Sequence, residues 1–544
     1  MSTDRGIHLR RSQDPDAFFG GPGALGSAVR TPRTSEGSAV SGGAEPSTQG
    51  DDVLVLIATL CRSLDAEGVR YCHWKSNEAI ARSANGENDL DLLVNRSDTE
   101  RFEGILRRLG FKDTVQPGWK QLPGVYHSYG LDPPTGALVH IHAHYQLVVG
   151  DDMTKNIHLP VEESYLASST PDQTFMIPSP VFELAVFLIR MTVKHCTWDA
   201  FVTLQGSLSR SERRELDDLL GQVDLDDVWA LTDEHFPFIS RELWARCLRS
   251  VKPGSSRWFR IVTASRLQRT LGGWSRRPPR IDTSVRMWRR VRTLFRRKII
   301  RRGPVRNRLA SGGALIAIVG GDGAGKSTVV AALSRWFSSE HIDSHTMHMG
   351  KPRWSPLTAI VKGLLKLVAA TKRSSTSSAK ALRSSLAGAD EGRMTLRNRA
   401  RLGWEVLTAR DRFRTYRRAR RLASNGSIVL CDRYPLPQVS LMDGAVTARM
   451  REPARWGRWA RSLATLERHY YARIASPDIL IVLRLDPDTA VERKRGVEPE
   501  SSVRPRSEEI WRMDWQGTPA IVIDASSPKD QVLSEIKSVI WSRL

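Results

Sequence analysis

What the chain is short of sets its first limits. Cysteine is scarce: Cys61, Cys72, Cys196, Cys247 and Cys431 are odd in number, scattered, and form no C-x-x-C pair. That excludes a disulfide scaffold and a paired-cysteine zinc site, and reads as reduced, structural thiols in a cytoplasmic protein. No stretch reaches the ~18 uninterrupted apolar residues of a membrane span. The nearest, 357–370, is broken by Lys362 and Lys366. The first residues lack the apolar core of a secretory signal. Acid is missing where base is densest: Lys252 to Arg308 holds 19 Lys and Arg against one acid, Asp282. This segment carries most of the net charge of +23, so an anionic partner is expected.

A chain of 544 residues is too long for a single core and calls for several domains. Residues 1–50 are rich in Gly, Ser, Pro, Thr and Arg with almost no aliphatic clustering, and are expected to be a disordered tail. A mixed α+β unit is expected over 51–160 and a helical companion over 161–251. A basic linker with an amphipathic helix should follow over 252–311, and an α/β domain with a parallel sheet flanked by helices over 312–544.

Within the last segment, Gly320-Gly-Asp-Gly-Ala-Gly-Lys-Ser-Thr328 follows the apolar run Ala314–Val319 and precedes a stretch with helical spacing. This is G-x-x-x-x-G-K-[ST] in its strand–loop–helix context. Gly320, Gly323 and Gly325 let the backbone turn its N–H groups inward onto phosphate, and the helix N-terminus adds its dipole. Lys326 supplies a point charge for the phosphates of ATP, Ser327 a hydroxyl for Mg²⁺, and Thr328 completes the ATP-binding loop before the helical stretch from Val329. Ser427 to Tyr434 reads as a buried strand ending in Asp432-Arg433-Tyr434. Ligands of open parallel sheets bind at strand carboxyl ends, so Asp432 would orient Mg²⁺ and Arg433 would clamp a phosphate. The basic cluster Arg493, Lys494, Arg495, Arg504 and Arg506 reads as a flexible lid carrying positive charge to a transferring phosphoryl group.

These motifs, with Asp478–Leu485, Asp486-Pro487 and Val522–Ser526, resemble the thymidylate kinase family over about 230 residues. The resemblance implies a P-loop fold with ATP and Mg²⁺ as cofactors, and transfer of the ATP γ-phosphoryl group to a nucleoside monophosphate, dTMP giving dTDP. It implies catalytic roles for Lys326, Asp432, Arg433 and the lid arginines Arg493 and Arg495. Acceptor contacts would come from Asp322, Arg433 and Tyr434, and from Arg410 or Arg412 on the preceding helix. Two other readings stand beside it: a sugar or lipid-linked acceptor in envelope polysaccharide metabolism, and a nucleotide-gated binding or scaffold protein.

Upstream, Asp89 and Asp91 lie two apart on an expected strand and share a face. With Lys75-Ser76 before them, this stretch resembles the nucleotidyltransferase superfamily over roughly 68–150. Here a Lys-Ser pair stands where that family has Gly-Ser, and His140 or His142 stands where it has a third carboxylate. Asp89 and Asp91 are candidate metal ligands, alone or with the two histidines in a pocket for Zn²⁺ or Mn²⁺; a metal-free binding module or simple solvated strand residues are the other readings. Arg190, Lys194 and His195 close an apolar helix, where they would meet phosphate or cap the helix. In 285–300, Trp288, Val291, Leu294, Phe295 and Ile299 share one face and arginines the other. That is a pattern for an anionic membrane surface, and equally for a linker packed on a neighbour. A cytoplasmic protein, with peripheral contact at the inner face of the membrane, is the expectation. No specific nucleic acid is expected as a partner.

Overall fold

The computed structural model describes residues 53–122, 124–203, 205–298, 306–350, 352, 354–355, 358–360, 396–439, 444–445 and 457–544. The expected tail 1–50 and most of the 351–395 insertion lie outside the described residues, as does Ile299. By density of contacts the chain divides into two units. One comprises the described residues of Met1–Phe111, Pro117–Asp132 and Leu138–Pro304; the other comprises Lys112–Gln116, Pro133–Ala137 and Val305–Leu544.

In the first unit, strands β1 (Tyr71–His73), β2 (Leu90–Val94), β3 (Val125–Asp132) and β4 (Ala137–His144) lie in the order β1-β2-β4-β3. β1 runs antiparallel to β2, and β2 parallel to β4 with Asp91 opposite His142. The sheet is therefore mixed. Period-2 alternation puts His140, His142 and His144 on one face, beside Asp89 and Asp91. The segment expected as a helical companion packs through α1 (Pro180–His195). Ser179 caps it by accepting from the Phe182 N–H, Pro180 takes the first turn where its missing N–H costs nothing, and nearly every later side chain is buried. A helix apolar over most of its surface must be enclosed, and its buried Arg190 is met by Glu215. Phe182, Phe187, Phe236 and Trp244 are almost wholly buried in one cluster, each contributing roughly 1.5–3 kcal/mol by leaving water.

The stretch expected as a basic linker contains two long helices, Arg257–Thr270 and α2 (Pro279–Lys298). α2 is oriented against simple expectation. Its arginine face is the inward one: Arg286 bridges Asp199 at 3.1 Å and Asp282 at 3.2 Å, and Arg290 reaches Asp151 and Asp199. Ile281, Trp288, Val291, Leu294 and Phe295 face solvent, each about half exposed. Asp151, Asp199 and Asp282 are buried carboxylates, which demand cationic partners more strongly than the apolar face demands cover.

The second unit holds a fully parallel sheet. Its strands are β5 (Leu315–Gly320), β6 (Ser344–His348), β7 (Ile428–Asp432), β8 (Ile479–Arg484) and β9 (Ala520–Asp524), in the order β6-β7-β5-β8-β9. β5 and β7 are buried along their whole length, the signature of a sheet covered on both faces. The flanking helices include α3 (Lys326–Ser339), α4 (Leu396–Ser424), α5 (Pro487–Lys494) and α6 (Glu500–Arg512). This is an α/β architecture. β5 is central, and its carboxyl end is where neighbouring connections leave for opposite sides, the point at which such sheets bind ligands. Among the described residues no helix is long and apolar enough to cross a membrane.

Candidate functional site

The loop 320–325 joins β5 to α3 through backbone that only glycine adopts readily. Gly323 has φ +82°, and a Cβ there would stand 3.0 Å from the Ala490 carbonyl; Gly325, at φ +84°, is the left-handed residue from which α3 starts. The first N–H groups of α3 have no carbonyl within their own helix to meet, which makes this helix start suited to an anion. Lys326 folds back over the loop, its Nζ donating to the Gly321 carbonyl at 2.7 Å. Gly320 is buried at the strand end, whereas Ser327 and Thr328 are exposed.

β7 delivers the next groups. Its last residue, Asp432, pairs in register with Ile318 of β5, and its Oδ2 accepts from the Ser327 hydroxyl at 3.0 Å. The other oxygen, Oδ1, is buried with no hydrogen-bond partner among the described residues. Arg433 follows at φ +57°, a strained value for a residue with a side chain, and the turn ends the strand. Its guanidinium lies 3.6 Å from the Asp322 carboxylate.

Asp322 is buried and holds a second arginine, Arg506 of α6, at 2.8 Å, while the Ser507 hydroxyl donates to the Asp322 carbonyl at 3.4 Å. The lid expected to be flexible is thus a helix seated on the phosphate loop, despite Pro505 inside it. Arg506 rather than the expected Arg493 and Arg495 meets the loop. Arg493 donates to the Ala525 carbonyl at 3.2 Å, and Arg495 is exposed at the end of α5.

The expected acceptor residues divide similarly. Arg412 is buried and donates to the carbonyls of Met349 at 3.0 Å and Gly350 at 3.2 Å and to the Tyr471 hydroxyl, fixing the end of β6 to α4. Arg410 is half-buried on α4. Tyr434 is buried, its hydroxyl donating to the Ala475 carbonyl at 2.6 Å, so it stands in the core rather than in the concavity.

In the first unit, Asp91 receives Lys75 at 2.7 Å, and Asp89 and Asp91 each face a histidine. Burial opposes the Asp91 charge, but Lys75 and the imidazoles of His142 and His144 hold its carboxyl well below the usual range. The Asp89 side chain is half-exposed; the rings around it partly desolvate its carboxyl, and His142 and His140 outweigh that and hold it below the usual range. Ser76, the serine of the expected turn, adopts φ +58°. Sequence reasoning missed His127 of β3, which lies against His140 and His142. Burial, with those two rings beside it, pushes its imidazole down to about 2. Arg190, Lys194 and His195 do not converge on a cleft: they pair with Glu215, with Asp152 and Glu212, and with Glu212 respectively.

No protein-family profile matches the chain. It is similar to the uncharacterized ATP-binding protein YghR of Escherichia coli K12, with 28% identity over 242 residues, 42% of this chain and 86% of that protein. The YghR protein of Escherichia coli O6:H1 matches to the same extent. Among solved structures, thymidylate kinase from Candida albicans aligns at 17% identity over 42% of this chain and 92% of its own, with a TM-score of 0.28.

Proposed function

We propose that the second unit is an ATP-dependent phosphotransferase acting on a nucleoside monophosphate, with dTMP as the acceptor that its motifs favour. The observation that carries this reading is the Ser327–Asp432 pair beside the phosphate loop. A hydroxyl and a buried carboxylate with one unsatisfied oxygen are the donor set of a Mg²⁺ ion held with nucleotide phosphates. Lys326 would exchange its contact with Gly321 for phosphate oxygens, and Arg433 and Arg506, both tethered to Asp322, would supply positive charge where the phosphoryl group travels. Phosphoryl transfer needs little covalent help from protein, so positioned charge of this kind is sufficient machinery. The ATP-binding description of the Escherichia coli relatives supports ATP as the ligand. The full chain with Mg-ATP and a panel of nucleoside monophosphates should form ADP and nucleoside diphosphate in equal amounts, fastest with dTMP. ATP consumption that no nucleoside monophosphate raises would sink the reading and favour a sugar or lipid-linked acceptor.

A second reading concerns α2. Its exposed apolar face is flanked by Arg280, Arg292, Arg296 and Lys298, none of which is fully buried. That combination fits an anionic lipid surface, into which Trp288 and Phe295 would insert. Full-length protein should co-sediment with phosphatidylserine-rich vesicles at low salt and be released at about 0.5 M, where the Debye length is a few ångströms. Trp288→Ser with Phe295→Ser should weaken binding by about tenfold or more; equal binding to neutral vesicles would contradict the idea.

A further inference from the structure

The face of the first unit's sheet that carries Asp89 and Asp91 holds three imidazoles in one place. His127 comes from β3, and His140 and His142 from β4. One ligand-capable atom from each lies within 4.8 Å of the other two. The rings of His127 and His140 each stand edge-on to His142, with centroids 4.5 and 4.3 Å away, and Tyr129 stacks flat on His140 at 4.0 Å as a rigid backing.

The two aspartates orient these rings. Asp89 Oδ1 lies 2.9 Å from His140 Nδ1, and Asp91 Oδ1 lies 3.1 Å from His142 Nδ1. An ionised carboxylate only accepts, so both Nδ1 atoms carry the proton. That tautomer leaves the Nε2 lone pair of both rings available to an electrophile. Carboxylate–histidine pairs of this kind are what fix imidazoles that bind a metal. His140 Nε2 stands 3.2 Å from His127 Nδ1. Two nitrogens bound to one tetrahedral Zn²⁺ at ~2.0–2.1 Å would be ~3.3 Å apart, so this pair already has the needed spacing. Without an ion, a proton on His127 Nδ1 bridges the two nitrogens; an ion would take that proton's place.

We propose that His127, His140 and His142 bind one zinc-class transition-metal ion, with Asp89 and Asp91 acting as the carboxylates that orient the rings. Three neutral imidazoles suit Zn²⁺ and its neighbours and suit Mg²⁺ poorly. Asp91 is already engaged by Lys75, which argues against direct ligation through that carboxylate. Asp89 differs: its side chain is 50% exposed, and its Oδ2 lies 3.5 Å from His142 Nε2. It stands at the open rim, where it would complete the coordination or accept a proton from a bound water. An open fourth position beside a carboxylate is the arrangement of a reactive rather than a closed structural site.

The test uses the full chain, stripped with chelator and free of nucleotide, titrated with Zn²⁺ alone by calorimetry and with Co²⁺ by visible absorption. Uptake of about one Zn²⁺ per chain, with the intense Co²⁺ bands of a four-coordinate nitrogen site and no competition from excess Mg²⁺, is the expected result. His127→Ala and the bulkier His127→Gln should each weaken uptake by at least ~100-fold, and Asp89→Asn by ~10–100-fold, with circular dichroism unchanged. Because the titration is free of nucleotide and the uptake depends on His127, the ion is distinguished from any held with ATP. Absence of Zn²⁺ uptake, displacement by Mg²⁺, or uptake indifferent to both His127 variants in folded protein would overturn the proposal.

Discussion

Lys326→Ala is expected to lower ATP turnover by at least ~10²–10³-fold while the chain stays folded. The reasoning starts from where the ammonium sits. Lys326 is buried beneath the loop it belongs to, and its Nζ contact to Gly321 can be made only because the glycine-rich turn brings that carbonyl back over α3. In the nucleotide-bound state the same group would lie against phosphate oxygens, in a concavity where water screens charge poorly and one well-placed cation is worth several kcal/mol. Without nucleotide, the alanine variant loses the charge-assisted hydrogen bond to Gly321, roughly 1.5–3 kcal/mol, within a sheet whose central strands are wholly buried. Turnover should therefore collapse while thermal unfolding shifts by only a few degrees. Parallel measurement of ADP release and unfolding temperature checks both halves, and a variant that folds and turns over normally would end the phosphotransferase reading.

The elements that create this site are legible in the sequence because their causes are local. Buried parallel strands appear as unbroken apolar runs, such as Ile428–Cys431 and Ile479–Leu483, ended by charged or turn residues, and the loop's chemistry is contained in nine consecutive positions. What escaped depends on partners distant in the chain. Arg506 is legible as part of the basic lid cluster, but its contact with Asp322 across 184 residues is not: its helix contains Pro505 and follows a Gly-Val-Glu-Pro stretch, so local rules favour a mobile segment there. His127 sits alone among Tyr, Ser and Gly on its strand; only the adjacency of β3 and β4 gives it company. The orientation of α2 was hidden for the same reason. Periodicity separates an apolar face from an arginine face, yet the acids that draw the arginines inward include Asp151 and Asp199, far upstream. Period alone identifies two faces without saying which is buried.

Arg506→Ala should reduce the rate of phosphoryl transfer by about 10²–10³-fold, whereas Arg493→Ala and Arg495→Ala should change it less than tenfold. The distinction follows from what each guanidinium touches. Arg493 already serves the Ala525 carbonyl, and Arg495 projects from the end of α5. Arg506 shares the buried carboxylate of Asp322 with Arg433, so two positive groups are brought within reach of the loop by one negative one. That carboxylate also determines the cost of the experiment. Removing Arg506 leaves Asp322 with Arg433 at 3.6 Å as its remaining cation among the described residues, and a buried acid that loses a partner is destabilising by up to ~3–5 kcal/mol. A fall in rate could then reflect a displaced α6 rather than a lost charge. Arg506→Lys separates the two, because it keeps the charge beside Asp322 but loses the planar fork. If Arg506 acts by direct contact with the transferring group, the lysine variant should restore unfolding temperature more completely than rate. If it serves only to seat α6, lysine should restore both together, and the lid role would pass back to Arg493 or Arg495.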